Sequence, residues 1–406
     1  AEKNEGAVWV STYTRNLQRQ LDSELDRLYP DPDEKNKKVV IRKGRENYFC
    51  LLNFSEAVGQ LRISGGQKAI GLGLMARWAL MTRDGDMIGG DFPSWLADLV
   101  GRGVTLDLTD KRGECTYSAC QHYDRCFIER TIRRARHARI VVANHALVMV
   151  QAAIGTGDEG QLPTRFVFDE GHHILAAADS AFSADLTGYE CEDLRRWLVG
   201  GETGRNSRSR GLRARMEDLI NGDDVATSAL DSALLAARDL PGPSWRQRIG
   251  GGAPIGTAEI FLSFLRQQVY ARTNGKVSTY SLETGTENPV QGLLDAAGDL
   301  HASLLHLLQP LQLLTQSLAN LLDVGTETLD TATRNRISAI ASGIQRRGID
   351  QINAWTSMLE ALSNELPIGV NDWLSGKRKD GHEIDVGLHR HYVDPTLPFV
   401  EMVLSS

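Results

Sequence analysis

Phe166-Val167-Phe168-Asp169-Glu170-Gly171-His172 is an apolar run that stops abruptly at two acids and a glycine. A short apolar run bounded by turn residues reads as a buried strand. Two acids at the end of such a strand suit a site where the first holds Mg²⁺ and the second orients and deprotonates an attacking water. The strand-end acidic turn with incidental histidines is the plainer reading of the same residues.

Working outward, Val8-Trp9-Val10-Ser11-Thr12 and Ile140-Val141-Val142-Ala143 are two further apolar runs, the second ending at Asn144-His145. Three such strands separated by helices or insertions predict a parallel sheet of the α/β class. A helix is expected after Thr14, with Leu17, Leu21, Leu25 and Leu28 at helical spacing, ended by Pro30-Asp31-Pro32-Asp33. Helices are also expected around Ala57–Leu61 and Leu72–Met81. Gly65-Gly66-Gln67-Lys68 lacks the leading glycine and the Lys-Ser/Thr ending of a phosphate loop and is read as a turn.

Between the first two strands lie Cys50, Cys115, Cys120 and Cys126. The last three are separated by gaps of four and five residues, and Cys50 precedes them by 65. Four soft thiolate donors suit an iron–sulfur cluster or zinc. Structural zinc favours two close Cys pairs, so an open triplet with one remote ligand points to the cluster, while His122 leaves zinc open. Basic residues flank the cysteines. Lys43 and Arg45 lead into Tyr48-Phe49-Cys50, and Arg130, Arg133, Arg134 and Arg136 follow on a predicted helix. Solvated charge is the ordinary reading; a positive groove for single-stranded nucleic acid is the functional one.

Composition narrows the classes. Hydrophobic residues make up 41% and charged residues 24% of 406, ordinary values for a globular protein. No apolar run approaches the roughly 20 residues that span a bilayer. Five cysteines do not make a disulfide framework, which predicts a reducing, cytoplasmic setting with Cys191 as a small buried hydrophobe. A net charge of −7 argues against global attraction to nucleic acid, so such binding would rest on local patches.

The later chain changes character. Residues 200–257 are rich in Gly, Arg and Ser, with Arg205, Arg208, Arg210, Arg213 and Arg215 clustered. From 290, Leu293, Ala297, Leu300, Leu304, Leu307, Leu311, Leu314, Leu318 and Leu321 alternate steps of four and three, a seam for a partner helix. Pro310 should kink that helix. Ile337, Ile340, Ile344, Ile352, Trp355, Leu359 and Leu362 supply the answering face. After Asp385 the chain is expected to be extended, with Asp394-Pro395-Thr396-Leu397-Pro398 breaking any helix.

Asp169-Glu170-Gly171-His172 resembles the DEAH-type motif II of superfamily 2 helicases. The cysteines with Lys43-Gly44-Arg45-Glu46-Asn47-Tyr48-Phe49-Cys50 resemble those of the DinG/XPD family of iron–sulfur DNA helicases. Val8–Thr14 with Leu17-Gln18 is similar to that family's motif Ia, and Val142-Ala143-Asn144-His145-Ala146-Leu147 to its segment before motif II.

The resemblance implies a partial RecA-like motor domain with a parallel sheet, interrupted by an iron–sulfur domain and a long helical arch. The boundaries it suggests are 1–45 and 136–182 for the motor, 46–135 for the cluster domain, 183–388 for the arch and 389–406 for a return to the motor. It implies an ATP-dependent helicase that translocates 5′→3′ on single-stranded DNA in repair or replication, as a monomer meeting single strands and duplex junctions and no membrane. Asp169, Glu170 and His172 would be catalytic, with Asp169 serving Mg²⁺ and ATP. The four cysteines would hold a [4Fe-4S] cluster. Ser11, Thr12, Lys43, Arg45, Arg130, Arg133 and Arg134 would contact DNA. The family's Walker A loop, motif III and second motor domain are not found in these residues, so a central piece of a longer helicase is expected, not itself hydrolysing ATP. The rival expectation is a non-catalytic, metal-stabilised nucleic-acid-binding module.

Overall fold

The structure, a computed structural model, describes residues 7–64, 67–110, 115–154, 165–202, 210–272, 279–324 and 329–404. It divides into two compact units, Ala1–Ala181 with Pro395–Ser406, and Phe182–Asp394.

In the first unit the expected strands form as β1 (Val8–Thr12), β3 (Ile140–Asn144) and β4 (Phe166–Phe168), joined by a fourth, β2 (Val39–Ile41). The sheet order is β2-β3-β1-β4 and every pairing is parallel. Val10 sits opposite Val142 on one side and Val167 on the other. The central strand β3 has Val141, Val142 and Ala143 wholly buried. β4 is less buried than its composition suggests: among the described residues it has a strand partner on one side only, and Val167 is 51% exposed.

Thr14 caps the helix Arg15–Leu28 by accepting from the Leu17 amide. Pro30–Asp33 ends that helix but also opens another, Pro32–Lys38, with Asp31 as its cap. Pro32 fits there because a first-turn amide has no intrahelical partner. The same principle explains a correction near the end of the chain. Thr396–Phe399 is a short helix, since Pro395 and Pro398 occupy cap and first-turn positions where their missing N–H groups leave no bond unmade.

Residues between β2 and β3 build a small core of their own. Helices Leu51–Ser64, Gln67–Met81, Ser94–Val100 and Phe127–His137 pack around Phe49, Met75, Trp78, Leu108 and Ile132. Phe49 meets Trp78 edge-on at 5.6 Å between centroids. Gln67 starts a helix, and Gly65 and Gly66 lie outside the described residues.

The second unit combines helices with a sheet that the helical reading of 183–388 did not anticipate. β5 (Ala184–Thr187), β6 (Leu282–Gly285), β7 (Val370–Lys379) and β8 (His382–Tyr392) form an antiparallel sheet in the order β5-β8-β7-β6. Asp380 and Gly381, both at positive φ, make the two-residue turn between β7 and β8. The leucine seam is core: Leu300, Leu304, Leu307, Leu311, Leu314 and Leu318 of the helix Leu293–Val324 are each at most 1% exposed. That helix runs through Pro310 without ending. Thr331–Ile344 and Gln351–Ala361 pack along it, bringing Ile340, Ile352 and Trp355 into the same core.

Among the described residues, no helix is long and apolar enough to cross a membrane.

Candidate nucleotide and metal sites

The acid pair emerges at the carboxyl end of the parallel sheet, where open α/β sheets place their ligands. The Asp169 amide donates to the Ser11 carbonyl at 2.8 Å, so β4 follows β1 one residue beyond the strand. Thr12 Oγ1 donates to Asp169 Oδ2 at 3.1 Å. Glu170 adopts a left-handed backbone (φ 54°, ψ 48°), which turns the chain into Gly171–His173 and then the helix Ile174–Phe182. Its carboxylate stands in solvent beside His172, with 3.4 Å between Oε2 and Nδ1.

A third strand end contributes His145, which sequence reading had placed in a matching segment without a role. It is 1% exposed, and its Nδ1 is 2.7 Å from Ser11 Oγ. Burial lowers its pKa below the ordinary histidine value, only partly offset by the backbone of Glu170 and Asp169. Tyr13 and His173, also missed, stack at 3.6 Å with planes 14° apart. Hydroxyls following one apolar strand and a histidine following another were the only signals available, and neither reveals a partner.

Ser11 and Thr12 are both 0% exposed. Their hydroxyls are spent on His145 and Asp169. Lys43 and Arg45 also turn inward. Lys43 pairs with buried Asp86. Arg45 pairs with Asp110 at 2.8 Å, lies 3.7 Å from Glu129 and covers the Tyr117 ring. Burial opposes the Arg45 charge, but Asp110 chiefly offsets it, and the net effect holds the guanidinium protonated.

Arg130, Arg133, Arg134 and Arg136 are exposed, because Phe127, Ile128, Thr131, Ile132 and Ala135 occupy the buried face of their helix. Arg133 rests over Tyr123, and Arg134 reaches the Asn36 carbonyl at 2.8 Å. In the second unit the arginine cluster is structural where it is described. Buried Arg215 covers Trp197 and donates to its carbonyl at 2.7 Å, and Arg213 pairs with Asp231. Arg205 and Arg208 lie outside the described residues.

The four cysteines come from one part of the first unit. Cys50 precedes the helix Leu51–Ser64, its amide donating to the Leu108 carbonyl. Cys120 and Cys126 each follow a 3₁₀ turn, and Cys126 caps the arginine-bearing helix. Cys115 Sγ accepts the Tyr117 amide at 3.3 Å. All four are half-buried and none is in a disulfide. Burial raises the Cys115 thiol well above its usual range, with Arg45 opposing and Asp110 and Cys50 adding to the rise. Burial raises Cys126 as well. The donors therefore fit a soft metal group in kind, and binding would release thiol protons. Among the described residues, however, no three His, Cys, Asp or Glu side chains are gathered as a metal-ligand set.

No family model matches the chain. It is similar to the ATP-dependent DNA helicase YoaA of Haemophilus influenzae, 26% identical over 191 residues that cover 46% of this chain and 29% of the relative. YoaA of Escherichia coli is 28% identical over 202 residues, again 46% of this chain and 29% of the relative. The ATP-dependent DNA helicase DinG of Photobacterium profundum is 29% identical over 193 residues, 45% and 27% of the two chains. The matched stretch spans under a third of the length of these relatives. Over just under half of its length this chain resembles the YoaA and DinG helicases, and on that ground it is DinG-like.

Proposed function

We propose that this chain serves an iron–sulfur, ATP-dependent DNA helicase of the DinG/XPD kind. The observation that carries the reading is the acid pair at the carboxyl end of a parallel sheet, tied to the neighbouring strand by Thr12. In this reading Asp169 holds Mg²⁺ on bound ATP, Glu170 orients the attacking water, and His172 beside it responds to the state of the nucleotide. Ser11, Thr12 and His145 act from behind, holding the turn that presents the acids. Residues 46–135 form the cluster domain, with Cys50, Cys115, Cys120 and Cys126 as ligands of a [4Fe-4S] group, and 183–388 form the arch. The exposed arginines of Phe127–His137 take the phosphates of single-stranded DNA, with movement 5′→3′ and a role at duplex junctions in repair or replication.

Two measurements test this. Fluorescence anisotropy on a single-stranded oligonucleotide should show affinity falling with salt. Replacing Arg130, Arg133 and Arg134 together by alanine should reduce the log–log salt slope by about 2; an unchanged slope removes the helix from the interface. Protein purified without oxygen should be brown with about four iron per chain, and Cys120→Ser should lose the colour. Colourless protein carrying zinc would sink the cluster assignment.

A further inference from the structure

In the second unit, three polar side chains on three adjacent strands form one continuous hydrogen-bonded chain. Asp185 of β5 and His389 of β8 are direct partners in register, with 2.6 Å between Oδ1 and Nδ1. On the other side of the ring, Nε2 is 2.7 Å from Oγ of Ser375 on β7. Ser375 pairs with Gly387, two residues before His389, so both side chains leave the same face of the sheet. The alternate residues Leu186, Leu374, Val386 and Leu388 point the other way, into the helical core.

Chemistry settles the tautomer. An ionised carboxylate only accepts, so Nδ1 carries the proton, and in the neutral imidazole Nε2 keeps the lone pair that accepts from the Ser375 hydroxyl. Burial works against ionisation of Asp185, but His389, with His391 and Lys377, holds its pKa below the usual carboxylate value. Trp373, the register partner of His389 on β7, stacks on the imidazole at 5.2 Å with planes 23° apart, which fixes the ring. Lys377, one pleat further along β7, brings an exposed ammonium to the same face.

We propose that Ser375 is an activated nucleophile toward small carboxylic esters, with His389 as its general base and Asp185 orienting that base. The substrate is small because Ser375 is only 8% exposed. A bond forms between Ser375 Oγ and the ester carbonyl carbon as the hydroxyl proton passes to Nε2. The carbon–alkoxy bond then breaks, and Nε2 returns the proton to the departing alcohol. Water adds through the same base, releasing the carboxylic acid and restoring Ser375. This assignment is independent of the DNA reading.

The whole chain is treated with an alkyl fluorophosphonate and the adduct located by mass spectrometry. One adduct at Ser375 is expected, formed roughly tenfold or more slowly in His389→Gln and Asp185→Asn. Turnover of p-nitrophenyl acetate by the unaltered chain should disappear in Ser375→Ala. No adduct on the folded chain, adducts only at other serines, or equal rates in His389→Gln would overturn the assignment. Circular dichroism identifies any variant that does not fold. In that event Ser375→Cys carries the test: iodoacetamide should alkylate its thiol with the same dependence on His389, and an inert thiol counts against the proposal.

Discussion

Thr12 and Asp169, 157 residues apart, are joined by a 3.1 Å hydrogen bond from hydroxyl to carboxylate across the end of the parallel sheet. Thr12 is wholly buried, so water cannot replace its hydroxyl as Asp169's partner on that side. The bond anchors the strand-end turn to β1 and fixes how the first acid is presented.

Thr12→Val keeps the shape and removes the donor. We expect a loss of about 1.5 to 3 kcal/mol, the range for a hydrogen bond to a charged group. It should appear as a lower urea midpoint with an unchanged slope, and Thr12→Ser should recover most of it. An unaltered midpoint would mean that Asp169 is held by other bonds.

His145 makes stability depend on pH. Its folded pKa lies below the ordinary histidine value of 6.5 because burial disfavours the charged form. As pH falls through about 6.5, the unfolded chain takes up a proton before the folded chain does. The stabilisation is therefore complete above that value and is lost as pH falls toward the folded pKa. Urea midpoints between pH 8 and pH 5 should decline, and the decline should be shallower in His145→Asn. Parallel profiles would assign the pH dependence elsewhere.

Arg390 grips Asp372 with two hydrogen bonds of 2.8 and 2.7 Å, and the Asp372 side chain is 2% exposed. Removing one member of a buried pair leaves the other charge uncompensated. Asp372→Ala is thus expected to destabilise the second unit by about 3 to 5 kcal/mol, read by chemical denaturation. A loss under about 1 kcal/mol, the range of an exposed pair, would show that water reaches Arg390.

Gly188 has no room for a side chain. An added Cβ would clash with the ring of Trp245. That ring is 2% exposed and pinned by a 2.9 Å bond from its indole N–H to Glu192. Gly188→Ala should cost about 1 to 3 kcal/mol through overpacking, seen as a lower thermal midpoint. A neutral effect would show that Trp245 shifts aside freely.

The parallel strands were legible because apolar runs ending in polar residues carry a local signal that burial on both faces demands. The leucine seam was legible for the same kind of reason: a periodicity of four and three has little use except packing. The antiparallel sheet was harder to see, since β7 and β8 mix Arg, His, Asp and Gly with their apolar residues. Even so, Asp380-Gly381 between them is the dipeptide that a tight hairpin prefers, and it was passed over.

The amino-acid order by itself determined that β1, β3 and β4 are strands and that the leucine seam is a helix, where the acids end β4, and that Arg130, Arg133 and Arg134 share a helix whose apolar residues must turn inward. Local periodicity and turn chemistry contain that information. Only the tertiary structure decided that Lys43 and Arg45 serve buried acids, that Ser11 and Thr12 face His145 and Asp169, and that Asp185, His389 and Ser375 meet on one face. Each of those pairings depends on strand order and register, which bring distant residues within hydrogen-bonding distance and leave no mark in the spacing along the chain.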